Sequence, residues 1–136
     1  MPSRMTISRP VWLSLVLMVA TVIAGMAVRF VPLGLPKPVV KYGGSMFWAL
    51  MIYWVLTTVL PSLKAIPAVV LCCLSATAVE FFKLYHSPAL DHFRTTIPGI
   101  LLLGRYFSVW DIVAYWSAIV IGAVIDFRLL RTRLAR

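Results

Sequence analysis

The chain has 136 residues, of which 62% are hydrophobic and only 12% are charged, and its mean hydropathy is +0.96. Soluble domains carry roughly a quarter charged residues, so this composition argues against a water-soluble protein and indicates a single membrane domain over residues 1–136. The net charge of +9 also occurs in nucleic-acid-binding proteins. However, no groove-binding motif accompanies it, and the basic residues flank apolar runs as membrane anchors do. A nucleic-acid partner is therefore not expected.

The first half of the chain contains two uncharged stretches long enough to cross a bilayer, since about 20 helical residues at roughly 1.5 Å each span a hydrocarbon core of about 30 Å. The first predicted helix covers residues 10–29. A signal peptide is the alternative, but the run is long for one and three further spans follow. Three prolines and a glycine predict a loop over residues 29–42. The second predicted helix covers residues 43–62.

The third and fourth predicted helices, residues 66–85 and 109–127, each contain a carboxylate. Glu80 lies inside the third helix, on a face of small and polar residues that is expected to point into the protein. Asp111 opens the fourth helix, where its charge also meets the positive end of the helix dipole. The tail that follows, residues 128–136, contains four arginines.

The connection between these two helices is predicted to lie at the membrane surface. A proline after His86 ends the third helix, and residues 95–104 form an uncharged stretch interrupted by Pro98 and Gly99. This stretch is too short and too broken to span, so an interfacial or re-entrant loop is expected, which a membrane tolerates only where protein covers the backbone. The predicted fold class is thus an all-α integral membrane bundle of four transmembrane helices with such a loop.

Four spans place both ends of the described topology on one side of the membrane. The dense basic tail favours the cytoplasm for that side, because cytoplasmic flanks are enriched in lysine and arginine. The ionisable side chains of residues 80–111 then lie near the outer face.

This charged cluster is the predicted site. A carboxylate within a membrane helix costs a few kcal/mol on insertion scales and is by default a functional hypothesis. One interpretation is an ion-pair network that fixes the loop onto the helix ends. The other is a pocket in which arginines bind a phosphate or carboxylate head group. The predicted binding residues are Glu80, Arg94, Arg105 and Asp111, followed by Lys83, Asp91, Arg29 and Tyr115.

Catalysis, metal binding and cofactors have weak support in the sequence. A catalytic carboxylate pair is conceivable, but no nucleophile elbow, metal triad or phosphate loop accompanies it, so no catalytic residue is assigned and no cofactor is expected. His86 and His92 with Asp91 form only a weak metal pattern, and ordinary interfacial histidines are favoured. Cys72 and Cys73 lack zinc or disulfide spacing and are interpreted as buried apolar residues.

Several segments carry a resemblance to known proteins: EFFKLYH at residues 80–86, LDHFRTT at 90–96, LGRYFSVWDIVAY at 103–115, RFVP at 29–32 and FWALMIY at 47–53. Together they resemble a family of short bacterial membrane proteins of unknown function, and the resemblance covers nearly the whole chain.

More distantly, the chain resembles the VanZ family linked to teicoplanin resistance. The glutamate, arginine, aspartate and a glycine of that family correspond to Glu80, Arg105, Asp111 and Gly122, whereas Lys83, Tyr115 and Ala118 replace a glutamine, an asparagine and a glycine. The resemblance implies a role in the bacterial cell envelope and supplies no reaction.

The sequence therefore predicts a multi-pass protein of the bacterial inner membrane with both termini in the cytoplasm. The favoured function is non-enzymatic: a pocket near the outer face that binds an anionic membrane lipid or a lipid-linked envelope head group. The alternatives are an enzyme acting on such a lipid, and a small transporter or assembly subunit. A transporter of this length would have to form a homo-oligomer.

Overall fold

The computed structural model describes residues 9–104 and 106–131. All of its regular elements are helical: α1 (Val11–Phe30), α2 (Lys37–Val59), α3 (Ala65–Phe82), α4 (Pro88–Phe93), α5 (Ile97–Leu102), α6 (Val109–Ile125) and a π-helical turn (Asp126–Leu130). Four helices are long and apolar enough to cross a membrane: α1, α2, α3, and α6 with its π-helical turn. The predicted all-α fold with four membrane spans is confirmed, and the chain is a multi-pass membrane protein.

Helices α2 and α6 form the centre of the bundle. Helix α2 packs against α1, α3 and α6, and α6 also packs against α3. Helix α1 is peripheral, because 11% of its span is buried compared with 39% of the span Val109–Leu130. The exposed apolar side chains of the four spans are suited to contact lipid rather than water.

Small residues at the centre of the bundle allow close helix packing. Ala49, Ala76 and Ala118 are buried beside the larger side chains of Tyr53 and Ile119. Gly122 is also buried, and a Cβ atom added there would lie only 2.5 Å from the nearest methyl carbon of the α2 leucine at position 50. Gly122 therefore lies at the contact between α6 and α2.

The second helix begins earlier than expected. The loop predicted over residues 29–42 was wrong for its second half, because α2 starts at Lys37. Pro38 lies in the first helical turn, where a backbone N–H would lack an intrahelical partner anyway and where the fixed φ of proline suits a helix. The longer helix includes Lys41, which lines a cavity together with Gly44.

The connection between α3 and α6 is built from two short capped helices. The Ser87 hydroxyl accepts a hydrogen bond from the backbone N–H of Leu90 at the start of α4, and the Thr96 hydroxyl accepts one from Gly99 at the start of α5. Such side-chain caps satisfy the free N–H groups of a first helical turn. Gly104 follows α5 with φ of +65°, a conformation that favours glycine. The position of this connection relative to the membrane stays a prediction.

Candidate binding site

A polar cavity of about 250 Å³ lies at the end of the bundle where α3 ends and α6 begins. Side chains of the long helices form its walls, and residues 100–104 cover one side. Its polar and charged lining consists of Arg29, Lys41, Ser45, Lys83, Tyr106, Asp111 and Tyr115. Five helices that are distant in sequence thus contribute to one site.

Glu80 is fully buried behind this cavity, and its charge is well compensated. Lys83 Nζ lies 2.6 Å from Glu80 Oε2, and the Tyr115 hydroxyl donates to the same oxygen at 2.7 Å. The backbone N–H of Ser108 donates to Glu80 Oε1 at 2.8 Å. Because a buried charge is stable only when paired and hydrogen-bonded, we assign Glu80 the role of joining the end of α3 to the start of α6.

Asp111 lines the cavity and has much less compensation. Its Oδ1 accepts a hydrogen bond from the Ser45 hydroxyl at 3.1 Å. Its Oδ2 accepts no hydrogen bond from any residue that the structure describes, and Lys83 Nζ lies 4.0 Å away. The side chain is nevertheless only 5% exposed. The two membrane-embedded carboxylates therefore differ: Glu80 is satisfied internally, whereas Asp111 retains a free oxygen towards the cavity.

The cationic side chains Lys83 and Arg29 also differ in how far other residues neutralise their charge. Lys83 is held by Glu80 and lies 3.4 Å from the Tyr115 hydroxyl. Arg29 is half-buried in the last turn of α1 and makes no hydrogen bond or ion pair with another described residue. A Cβ atom at Gly44 would lie 3.6 Å from Arg29 Nε, an ordinary contact distance, so the guanidinium lies beside α2 at Gly44. Of these two cations, Lys83 is therefore paired inside the site, whereas Arg29 lies at the mouth of the cavity without a partner among the described residues.

An apolar groove of about 330 Å³ adjoins the polar cavity between α1, α2 and α5. Its apolar lining includes Val22, Met26, Phe47, Met51, Ile97 and Pro98. The groove and the cavity share Arg29, Gly44, Trp48, Leu101 and Leu102. A charged compartment and an apolar one therefore meet at Arg29, which pairs with no other residue in the part of the chain that the structure describes.

Arg94 and Asp91 belong to a different arrangement. Arg94 is 3% exposed, and its guanidinium donates to the backbone carbonyls of Tyr85 at 2.7 Å and Phe82 at 2.9 Å. Phe82 is the last residue of α3 and Tyr85 lies three residues beyond it, so the guanidinium adds side-chain donors where the helix runs out of backbone partners. Arg94 Nη1 also lies 3.2 Å from Asp91 Oδ1. Arg94 therefore caps α3, and its side chain is absent from the cavity lining.

Asp91 is exposed and held from two sides. His86 Nδ1 lies 3.0 Å from Asp91 Oδ1. This hydrogen bond, together with the nearby Arg94 guanidinium, holds the pKa of the Asp91 carboxyl below its ordinary value. Among residues 9–104 and 106–131, no group of three or more His, Cys, Asp and Glu side chains is arranged to hold a metal ion.

The predicted site residues thus separate into groups. Glu80, Lys83, Asp111 and Tyr115 form one connected cluster, with Arg29 at the mouth of the same cavity. Arg94 and Asp91 form the cap of α3, and Arg105 lies outside the described residues. Whether any of these residues binds a ligand stays a prediction. Sequence analysis missed Lys41, which was placed in a loop, and Ser45, whose hydrogen bond to Asp111 joins residues 66 positions apart.

A second buried charge cluster, which sequence analysis also missed, lies at the opposite end of the bundle. Asp126 is fully buried and forms ion pairs with Arg9 and Arg131, while the Tyr53 hydroxyl donates to it at 2.8 Å. Arg9 also donates to the Thr57 hydroxyl at 2.7 Å. This cluster connects the segment before α1 to the ends of α2 and α6. Its signal in the sequence is an acidic residue at the end of an apolar span, five residues before an arginine.

Comparison with known proteins places the chain in a family. Residues 34–126, which are more than half of the chain, match a family model described as "Protein of unknown function (DUF2809)". The chain belongs to this family. In this DUF2809 member, the matched segment contains Lys41, Ser45, Lys83 and Asp111, whereas Arg29 precedes it. No solved structure significantly matches the chain. The predicted membership of an uncharacterised family is confirmed, and the distant resemblance to VanZ proteins stays a prediction.

Proposed function

We propose that this DUF2809 protein binds a membrane lipid, with the phosphate of the head group in the polar cavity and an acyl chain in the adjoining apolar groove. One observation carries the proposal: the two compartments meet at Arg29, whose guanidinium has no partner among the described residues. A molecule that fills both compartments has a charged end joined to an apolar end. Membrane lipids have this chemistry and surround the protein.

The charge of the site supports an anion at its mouth. Three cationic side chains (Arg29, Lys41 and Lys83) and two carboxylates (Glu80 and Asp111) leave one net positive charge. The guanidinium of Arg29 presents a planar fork of donors that suits two phosphate oxygens at once. Charged side chains at membrane depth pair with one another or face a polar cavity. A phosphate at the mouth would supply the partner that Arg29 lacks among the described residues.

The apolar groove positions the acyl chain but adds little to the binding free energy. Lipid tails are as apolar as the groove itself, so moving an acyl chain from the bilayer into the groove gains little hydrophobic free energy. The polar end of the lipid then determines which lipid is held. We therefore place selectivity at the cavity and positioning at the groove.

We further propose that the cavity opens to the outer leaflet of a bacterial inner membrane. The opposite end of the bundle carries Arg9, Arg128 and Arg131, and the sequence after Arg131 contains two further arginines. Such a basic end favours the cytoplasm. On this orientation the ligand is a lipid of the outer leaflet or a lipid-linked precursor of the envelope.

Replacement of Arg29 by glutamine should weaken lipid binding about tenfold or more, since a hydrogen bond to a charged group contributes roughly 1.5–3 kcal/mol. Delipidated protein in mild detergent would be titrated with phosphatidylglycerol, and the bound fraction would be measured by native mass spectrometry. Arg128→Gln removes an exposed cation at the opposite end of the bundle and should leave the affinity unchanged. Equal affinities for the wild type and a folded Arg29→Gln variant would refute the proposed role of the cavity.

A further inference from the structure

The free oxygen of Asp111 restricts which head group the cavity accepts. This side chain is 5% exposed and lines the cavity, yet its Oδ2 accepts no hydrogen bond from a described residue. The nearest cation, Lys83 Nζ, lies 4.0 Å from Asp111 Oδ2 but only 2.6 Å from Glu80 Oε2. Lys83 is therefore engaged by Glu80, and a buried acceptor at Asp111 remains available to a ligand.

A head group that carries only negative charge does not complement this oxygen. At the low dielectric of a buried site, a second anion close to Asp111 is strongly disfavoured. A primary ammonium group is complementary, because it brings a positive charge and three hydrogen-bond donors. The cavity thus offers a phosphate partner at its mouth and an ammonium partner deeper inside.

Two aromatic side chains beside Asp111 independently favour a cation. Trp48 and Tyr115 both line the cavity, and their ring centroids lie 5.2 Å apart at an angle of 44°. Aromatic faces attract ammonium groups through the ring quadrupole. Tyr115 already has the Lys83 ammonium group 6.0 Å from its ring centroid, so this wall of the cavity accommodates positive charge.

The size of the cavity restricts the ligand further. At about 250 Å³, the volume lies below the roughly 300–1,000 Å³ of typical drug-sized ligand sites. A small head group fits this volume better than an oligosaccharide does. The covering segment packs closely against the cavity wall, since a Cβ atom at Gly104 would lie 2.9 Å from Lys83 Cε.

We propose that the cavity selects a small zwitterionic head group in which a phosphate diester is joined to a primary amine, as in an ethanolamine phospholipid. The phosphate lies against Arg29 and Lys41, and the ammonium group donates to Asp111 Oδ2. This inference rests on the proposed lipid binding and specifies the chemistry of the ligand. It also gives the free carboxylate oxygen and the free guanidinium their partners in one molecule.

The test compares two lipids that differ in the amine. Delipidated full-length protein in mild detergent would be titrated separately with dioleoyl phosphatidylethanolamine and dioleoyl phosphatidylglycerol, with native mass spectrometry as the readout. The wild type should prefer the ethanolamine lipid about tenfold, the effect of one charge-assisted hydrogen bond. Asp111→Asn should reduce this preference to near unity, mainly through weaker binding of the ethanolamine lipid.

Asp91→Asn is the matched control, since it removes an exposed carboxylate outside the cavity; its preference should equal that of the wild type. N-acetylated phosphatidylethanolamine, whose amine is blocked, should bind the wild type as weakly as phosphatidylglycerol. This comparison decides the question even if Asp111→Asn does not fold. Equal wild-type affinities for all three lipids would overturn the inference while leaving lipid binding intact. Absence of binding by any lipid would overturn the proposed function as well.

Discussion

Replacing Asp126 with alanine should destabilise the protein by about 3–5 kcal/mol, the usual cost of removing one partner from a buried ion-pair network. Asp126 is fully buried between Arg9 and Arg131. Without it, two guanidinium groups face an apolar bundle end with no carboxylate, and the Tyr53 hydroxyl loses its acceptor. The free energy of unfolding in detergent micelles, followed by tryptophan fluorescence during denaturant titration, would measure the loss.

The control for this prediction is Asp91→Ala. Asp91 also pairs with an arginine, but it is exposed, and exposed ion pairs contribute little to stability. Its unfolding midpoint should therefore stay close to that of the wild type. If Asp126→Ala unfolded at the same midpoint as Asp91→Ala, the buried cluster would not hold the end of the bundle together.

Gly99→Ala should cost about 3 kcal/mol, the upper part of the usual range for overpacking, because the new methyl group would meet backbone rather than a movable side chain. A Cβ atom at Gly99 would overlap the Phe93 carbonyl oxygen and lie 2.6 Å from Phe93 C and 2.9 Å from Arg94 Cα. The turn between α4 and α5 would have to open. Since α5 covers both the cavity and the groove, lipid binding should fall together with stability.

Limited trypsin digestion would locate this effect. Arg94 is buried by its bonds to the carbonyls at the end of α3, so the wild type should resist cleavage after Arg94. Gly99→Ala should be cleaved there much faster. Gly43→Ala is the matched control, because its Cβ would meet Val28 Cγ1 at 3.4 Å, an ordinary contact, and alanine favours a helix interior by about 1 kcal/mol. Equal cleavage of the two variants would contradict the crowding at Gly99.

The four spans were predictable because an uncharged apolar run of this length in a membrane protein can satisfy its backbone hydrogen bonds only as a spanning helix. The start of α2 was not, since the same prolines that break a helix interior are tolerated in a first turn, and Pro38 occupies such a turn. Whether a proline precedes a helix or interrupts one depends on what packs around it. Pro38 itself is exposed, and the helix that follows it packs against α1.

The candidate site was predictable as a region but not as a set of contacts. Glu80 and Asp111 stood out because carboxylates within membrane spans are rare. Their different roles depend on hydrogen bonds between residues distant in the sequence. Tyr115 bonds to Glu80 across 35 positions, and Ser45 bonds to Asp111 across 66 positions. Arg94 was predicted as a binding residue from its charge, yet its donors are directed at the backbone carbonyls that end α3. No sequence spacing reveals that geometry.

Photo-crosslinking with a phospholipid that carries a diazirine on its acyl chain would test the central claim, that the cavity and the groove hold one lipid. With probe and protein at equal molar concentration, crosslinks should concentrate at the groove residues Phe47 and Met51. Their yield should decrease when unlabelled phosphatidylethanolamine is added. They should also fall in Arg29→Gln, whose substitution leaves most of the groove unchanged. Crosslinks spread equally over exposed positions of other helices, such as Leu74 and Trp116, and unaffected by Arg29→Gln, would contradict the account.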